Sequence, residues 1–305
     1  MNLFSLAKSF PDERSALEYW ISIRWPSGVV CLKCSGKVYR IETVGKTGKP
    51  CLIFECSGCG LHFSPTTGTL FHDSHLPLQK WFAAIALMCE GKKGISANQL
   101  SRHLGVGYKT AWYLAHRIRK AMSDSDITPL GNEGQIVEID ETFIGGKTAD
   151  GYRDGKKSKI KVFGVAERGG RVHLQKVKNV RKETLQPLVE SRVSPNSAKI
   201  VTDGAHVYKG IVPREKHIAG NHYQERHSGK LSNSSIEGAF SLFKRGIVGS
   251  YHKIGEEHMD AYLGEFCWRF NRRKNQAGMF DQALTSLSKN APLPYSKLKG
   301  GDDPF

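Results

Sequence analysis

Four of the seven cysteines stand in two C-x-x-C pairs, Cys31-x-x-Cys34 and Cys56-x-x-Cys59, with 21 residues between them. Each such pair chelates one side of a tetrahedral ion, so the intervening chain must fold back and return the second pair to the first. The text between them suits this: VYRIET and CLIFEC are β-like runs on either side of the turn GKTGKP. Gly36, Gly58 and Gly60 fall in or just after the knuckles, where the backbone must turn sharply to aim amides at sulfur. Four thiolates leave no open coordination position, so the pattern predicts one structural Zn²⁺ rather than a catalytic ion. His62 offers a substitute ligand, but its position is expected to fall just outside the ribbon. Cys51, Cys89 and Cys267 lack partners at ligand spacing and read as small buried hydrophobes. In a reducing compartment, an odd cysteine count with four residues in two C-x-x-C pairs suggests metal ligation rather than disulfides.

The chain carries 45 Lys and Arg against 29 Asp and Glu, a formal charge of +16, spread from Lys33 to Lys299. A field of this sign attracts phosphate backbones by releasing their counterions. Ribosomal and membrane-surface proteins share the feature, so motifs must name the partner. The N-terminus MNLFSLAKSFPDERSALEYW lacks a signal-peptide pattern, and no uncharged apolar run approaches the roughly 20 residues that span a bilayer. A soluble, cytosolic protein with no membrane partner is expected.

Residues 1–28 read as a helical lead, with a helix over 10–25, and 29–64 as the ribbon. Residues 76–123 turn helical. Within them ISANQLSRHLGVGYKTAWYLAHRIRK predicts a helix capped at Ser96 with Leu100 and Leu104 buried, a turn at GVG, and a second helix burying Ala111, Leu114 and Ile118. A helix, a glycine turn and a helix with a basic outer face make a helix-turn-helix DNA reader. Tyr108, Lys109, Thr110 and Tyr113 would enter the groove, with Arg117, Arg119 and Lys120 on phosphates. The competing reading is an ordinary αα-hairpin with a solvated basic face.

Residues 133–275 follow as an α/β domain: QIVEIDETFI, KIKVFGVAER and RVHLQKVK as three strands, KETLQPLVESRV as a helix, AKIVTD as a fourth strand, and the helix NSSIEGAFSLFKRGI. This order predicts a mixed sheet flanked by helices. Residues 276–305 read as a C-terminal tail that frays from about Pro292. In the first strand, alternation puts Val137 and Ile139 on one face and Glu138 and Asp140 on the other, with Glu141 turned away from Asp140. Asp203 ends the fourth strand just before Gly204, where chain reversal opens onto a cleft. Glu237 lies at the rim of the stripe Ile236, Phe240, Phe243 and Ile247, and Lys244 follows it by two turns on the same face. Ser234-x-x-Glu237 also reads as a capping box. Three carboxylates from two strands and a helix can hold two Mg²⁺, or Mn²⁺, a few ångströms apart, an arrangement that suits phosphodiester cleavage and transfer. Lys244 would neutralise a nearby phosphate.

These strings resemble bacterial insertion-sequence DDE transposases of the IS1595 family, with an N-terminal zinc ribbon and an ISXO2-like catalytic domain. The resemblance runs nearly the full length through RWPSGVVCLKC, CSGCG, FSPTTGTLF, LPLQKWF, VEIDETFIGGK, IVTDG, SSIEGAFSLFKRGIVGSYH and FCWRFNRR. It implies an RNase H-like fold with Asp140, Asp203 and Glu237 as the DDE triad and Lys244 as the basic residue seven later. It also implies element-end cleavage and strand transfer by a dimer or higher assembly on the terminal inverted repeats and target DNA. The chain departs from the family in reading LSNSSIEG where HTNTIEG is common, so one histidine is missing. The basic stretch 147–159 would clamp DNA or lie in solvent. A DNA-binding regulator without catalysis and an RNase H-like nuclease or resolvase are the alternatives.

Overall fold

The computed structural model describes residues 3–44, 50–123, 128–145, 159–220 and 232–299. The chain divides into two compact units, one formed by residues 1–91, 95–122 and 275–304, the other by residues 92–94 and 123–274.

The first unit opens with α1 (Leu3–Ser9) and α2 (Glu13–Arg24). Asp12 starts α2: its carboxylate accepts the Ser15 N–H at 2.7 Å, and its own N–H donates to Ser15 Oγ at 3.3 Å. The ribbon consists of β1 (Val38–Val44), β2 (Pro50–Cys56) and β3 (His62–Phe63), paired antiparallel in that order. Besides Cys31 and Cys56, its buried hydrophobic residues among those described are Leu52, Phe54 and Phe63, too few for an independent core, and Leu17 and Ile21 of α2 with Trp25 just after it complete it. Cys51 is exposed and Cys89 half-buried, so of the three unpaired cysteines only Cys267 fits the expectation of a buried hydrophobe.

Next comes α3 (Leu78–Glu90), preceded by Pro77, which offers no side-chain cap. A distant residue supplies one: the Glu13 carboxylate accepts from Leu78 N at 2.8 Å and Gln79 N at 3.4 Å. Two further helices, α4 (Ala97–Leu104) and α5 (Tyr108–Met122), are joined by a turn with Gly105 in the left-handed conformation. Ser96 caps α4 by accepting the Gln99 N–H at 3.1 Å, and Leu100, Leu104, Ala111, Leu114 and Ile118 are buried as their spacing predicts.

The outer face of α5 departs from expectation. Arg117 and Arg119 are 3% and 1% exposed, so neither is available to hold a phosphate. Arg117 donates to the His72 carbonyl and lies over the rings of Trp81 and Tyr113. Tyr113 donates its hydroxyl to the Leu293 carbonyl and packs on Tyr295, so it too is committed internally, and Lys120 is half-buried. Tyr108, Lys109 and Thr110 remain exposed.

The reason lies in the supposed tail. Met279–Lys289 is a helix whose residues Met279, Phe280, Ala283, Leu284 and Leu287 are buried in the first unit, and Leu293 and Leu298 are buried after it. Phe280 packs against Phe82 with ring centroids 5.5 Å apart, and Asp281 accepts the Tyr19 hydroxyl at 2.6 Å. This segment covers the side of α5 that reads as solvent-facing from its own sequence.

The second unit holds β4 (Ile136–Ile144), β5 (Ile160–Glu167), β6 (Val172–Val177), α6 (Lys182–Arg192), β7 (Lys199–Thr202), β8 (His217–Ala219), α7 (Ser234–Gly246) and α8 (Met259–Arg272). The sheet order is β6-β5-β4-β7-β8, antiparallel across the first three strands and parallel from β4 to β8. The mixed sheet is as predicted; β8, a three-residue edge strand, was not legible. Alternation separates two cores. Val137, Ile139, Phe163 and Val165 pack with Leu185 and Val189 of α6, while Ile144, Val162 and Leu174 pack with Ile236, Phe240 and Phe243 of α7 and with Leu263 and Phe266 of α8. Among the described residues no helix is long and apolar enough to cross a membrane.

Candidate active site

Asp140 sits in the middle of β4, half-buried, directly opposite Gly164 of β5. A Cβ on Gly164 would lie 2.6 Å from the Phe240 ring and 2.7 Å from Ile236 Cδ1, so this bare backbone lets α7 press flat on the sheet beside Asp140. On the parallel side, Glu138 pairs with Val201. Asp140 lies two residues beyond Glu138 within β4, and Asp203 two residues beyond Val201, just past the end of β7. Asp203 itself is exposed, and its Oδ1 accepts the Ala205 N–H at 2.9 Å in the turn after β7.

Glu237 occupies the first turn of α7. The capping box that its spacing from Ser234 allows is not formed, because Asn233 is the N-cap and makes no side-chain cap bond. Instead the fully buried Glu138 reaches across from β4. Its Oε2 accepts Ser235 N at 2.7 Å and Ile236 N at 3.0 Å, while Arg168 donates to its Oε1 from Nε at 3.0 Å. Arg168 also donates to the Ser232 carbonyl at 2.6 Å, and Asn233 Nδ2 to the Ile139 carbonyl at 3.4 Å. A carboxylate two residues before Asp140 thus ties down the helix that carries Glu237. Replacing Glu138 with Ala strands two helix N–H groups and Arg168, and should cost roughly 3 kcal/mol in denaturant unfolding; a change below about 0.5 kcal/mol would leave the network without energetic weight.

Asp140, Glu141 and Glu237 line one cleft of about 680 Å³ together with the cations Lys93, Lys244 and Arg245. Glu237 and Lys244 therefore share a face, as two turns of helix require. Asp203 is not among the lining residues, but its charge reaches them. Burial, and after it the negative charges of Asp140 and Asp203, push the Glu141 carboxyl up to about 7, against a hydrogen bond from Tyr208 that opposes the rise. Burial and the Glu141 charge likewise hold the Tyr208 phenol above its ordinary range. Glu141, expected to turn away, does reach Tyr208 on the far face, yet it also borders the cleft.

Carboxylate oxygens are hard donors, and the negative charge that helps raise the Glu141 carboxyl is of the kind a hard divalent cation would neutralise. The donor set fits Mg²⁺ or Mn²⁺ in kind. The three acids are not drawn to within ion-holding spacing of one another, however. Among the described residues only Cys31, Cys34, Cys56 and Cys59 form such a group, their sulfurs all within 4.8 Å. Neighbouring sulfurs lie 3.4 to 3.6 Å apart, far beyond a disulfide bond and close to the edge of about 3.8 Å in a tetrahedron with 2.3 Å zinc–sulfur bonds. Lys33 N and Gly58 N point at Cys31 and Cys56 sulfurs at 3.4 Å. The four cysteines thus form a structural zinc site. His62 is no substitute ligand: it belongs to β3, and its Nε2 lies 3.4 Å from the Glu55 carboxylate. Near the exposed start of α5, Arg102 and His103 in the last turn of α4 are also exposed, a pair the sequence reading passed over. The basic stretch 147–159 falls almost entirely outside the described residues.

A cysteine-clamped ribbon with a helical unit, followed by an α/β domain whose carboxylates and lysines converge on one cleft, is the build of a mobile-element transposase. The chain belongs to the IS1595 insertion-sequence transposase family: residues 132–271 match the ISXO2-like transposase domain and residues 11–62 the transposase zinc-ribbon domain, together more than half of its length. It is also similar to an uncharacterised protein in the transposable element ISH50 of Halobacterium salinarum, 26% identical over 282 residues that cover 85% of this chain and 91% of the relative.

Proposed function

We propose that this chain is a metal-dependent DDE transposase that binds the terminal inverted repeats of its element and cleaves and transfers DNA strands. The observation that carries the proposal is the convergence of Asp140 from β4 and Glu237 from α7 on one cleft, with Asp203 just past the end of the adjacent strand β7. The mixed sheet, with acids along neighbouring central strands and a helix laid across it, supports an RNase H-like domain. Two Mg²⁺ or Mn²⁺ ions held by the three acids would polarise the scissile phosphate and lower the pKa of an attacking water or 3′-hydroxyl. Lys244 then offsets phosphate charge beside Glu237. Glu138 and Arg168 tie the helix that carries Glu237 to the strand that carries Asp140.

In the first unit, α4 and α5 serve as a helix-turn-helix. Tyr108, Lys109 and Thr110 lead α5 into the major groove, with Arg102 and His103 on the flanking backbone. The charge of +16 supplies sequence-independent attraction, and a dimer or higher assembly brings two element ends together.

Asp203→Asn tests the acid that the cleft does not include. It keeps the side chain's shape and the turn bond to Ala205, and removes one charge. Duplex binding and the circular dichroism spectrum should match wild type, while cleavage should fall by about a thousandfold, the several kcal/mol that metal ligation contributes. Cleavage at the wild-type rate would remove Asp203 from the site.

A further inference from the structure

One cation of the cleft belongs to none of the motifs. Lys93 lies in the segment Lys92–Gly94, which is part of the second unit although the residues flanking it along the chain belong to the first. We infer that Lys93 is a further substrate-binding residue, holding a backbone phosphate of the DNA strand that enters the cleft. The inference rests on the transposase reading of that cleft.

Its support is the way these three residues are held. A Cβ on Gly246, at the end of α7, would lie 2.8 Å from the Lys93 carbonyl oxygen, a backbone atom that cannot swing aside. Gly94 adopts a φ of +79°, which a side chain resists, and the Tyr251 hydroxyl fills the space its Cβ would need. Tyr251 donates to Glu265 Oε1 at 3.2 Å. Glu265 pairs with Arg269 at 3.1 Å, both of them buried, and Arg269 Nη1 donates to the Lys92 carbonyl at 3.3 Å. Two glycines, a tyrosine and a buried ion pair therefore fix the backbone of an otherwise exposed segment.

What this seat presents is the Lys93 side chain, exposed and bordering the same cleft as Asp140 and Glu237. Lys244 and Arg245 border it too, so carboxylates suited to cations share the cleft with cations suited to phosphates. A lysine is a compact, strongly hydrated point charge that takes a phosphate without demanding bidentate geometry. That suits a backbone contact made regardless of sequence.

The test is cleavage by the full chain of a labelled duplex carrying the element's end, with Mg²⁺ or Mn²⁺, titrated with DNA at several salt concentrations. For Lys93→Gln the DNA concentration giving half-maximal rate should rise about tenfold, the weight of one charged hydrogen bond. The log–log salt slope should become shallower by about one, the mark of one lost phosphate contact. The rate at saturating DNA should stay within about twofold, and Lys93→Arg should restore both parameters. An unchanged salt slope overturns the inference, whether or not the saturated rate falls. Absence of metal-dependent cleavage by the wild type would instead overturn the reading on which it rests.

Discussion

Glu237→Gln should lower metal-dependent strand cleavage by roughly a thousandfold and leave the fold almost untouched. A first-turn glutamate ordinarily adds to helix stability through the dipole and the cap, and substituting it costs some of that. Here the cap is made elsewhere: Glu138 takes the N–H groups of Ser235 and Ile236, and Asn233 as N-cap makes no side-chain cap bond. Glutamine keeps the volume of glutamate and removes one charge from a cleft shared with Asp140 and Glu141. Single-turnover cleavage beside thermal unfolding separates the two roles. A variant that cuts normally but melts many degrees lower would return Glu237 to a structural part.

Cys56→Ser should cost the ribbon its fold. Cys56 is 2% exposed, its sulfur lies 3.4 Å from that of Cys34, and apart from Cys31 and Cys56 the buried residues of the described ribbon are Leu52, Phe54 and Phe63. With so little core, zinc affinity is folding free energy, on the order of 10 kcal/mol in isolated zinc-finger peptides. The variant should bind less than one equivalent of zinc by atomic absorption, and proteolysis should enter between Cys31 and Phe63. Leu17 and Ile21 of α2, and Trp25 just after it, would lose their cover as well. A protease-resistant ribbon without zinc would contradict this account.

Much of the site was legible because its determinants are local. Period-two alternation placed Glu138 and Asp140 on one face of β4, and the seven-residue step put Glu237 and Lys244 on one face of α7; both arrangements are found. What the periodicity cannot carry is partnership across long sequence distances. Glu138 reads as one more charge on a strand, and only the fold brings α7, nearly a hundred residues later, to its carboxylate. Arg117 and Arg119 failed for the same reason. A basic residue off the apolar stripe defaults to solvent, but the helix Met279–Lys289 and the segment after it cover that side of α5, and the His72 carbonyl and Trp81 ring accept Arg117. The stripe of Met279, Phe280, Ala283, Leu284 and Leu287 was present in the text. Its proximity to Pro292 and the glycines of the terminus drew the reading toward a loose tail. Gly164, Gly94 and Gly246 were silent, since a glycine announces a close approach only when its neighbour is known.

The central claim is tested most directly by incubating the wild-type chain with an end-labelled duplex carrying its element's terminus, in Mg²⁺, in Mn²⁺ and in EDTA. Nicking at the element end in either metal, abolished by EDTA while binding persists, is the predicted result. Binding with no nicking in any metal would contradict it and leave a DNA-binding regulator in place of an enzyme.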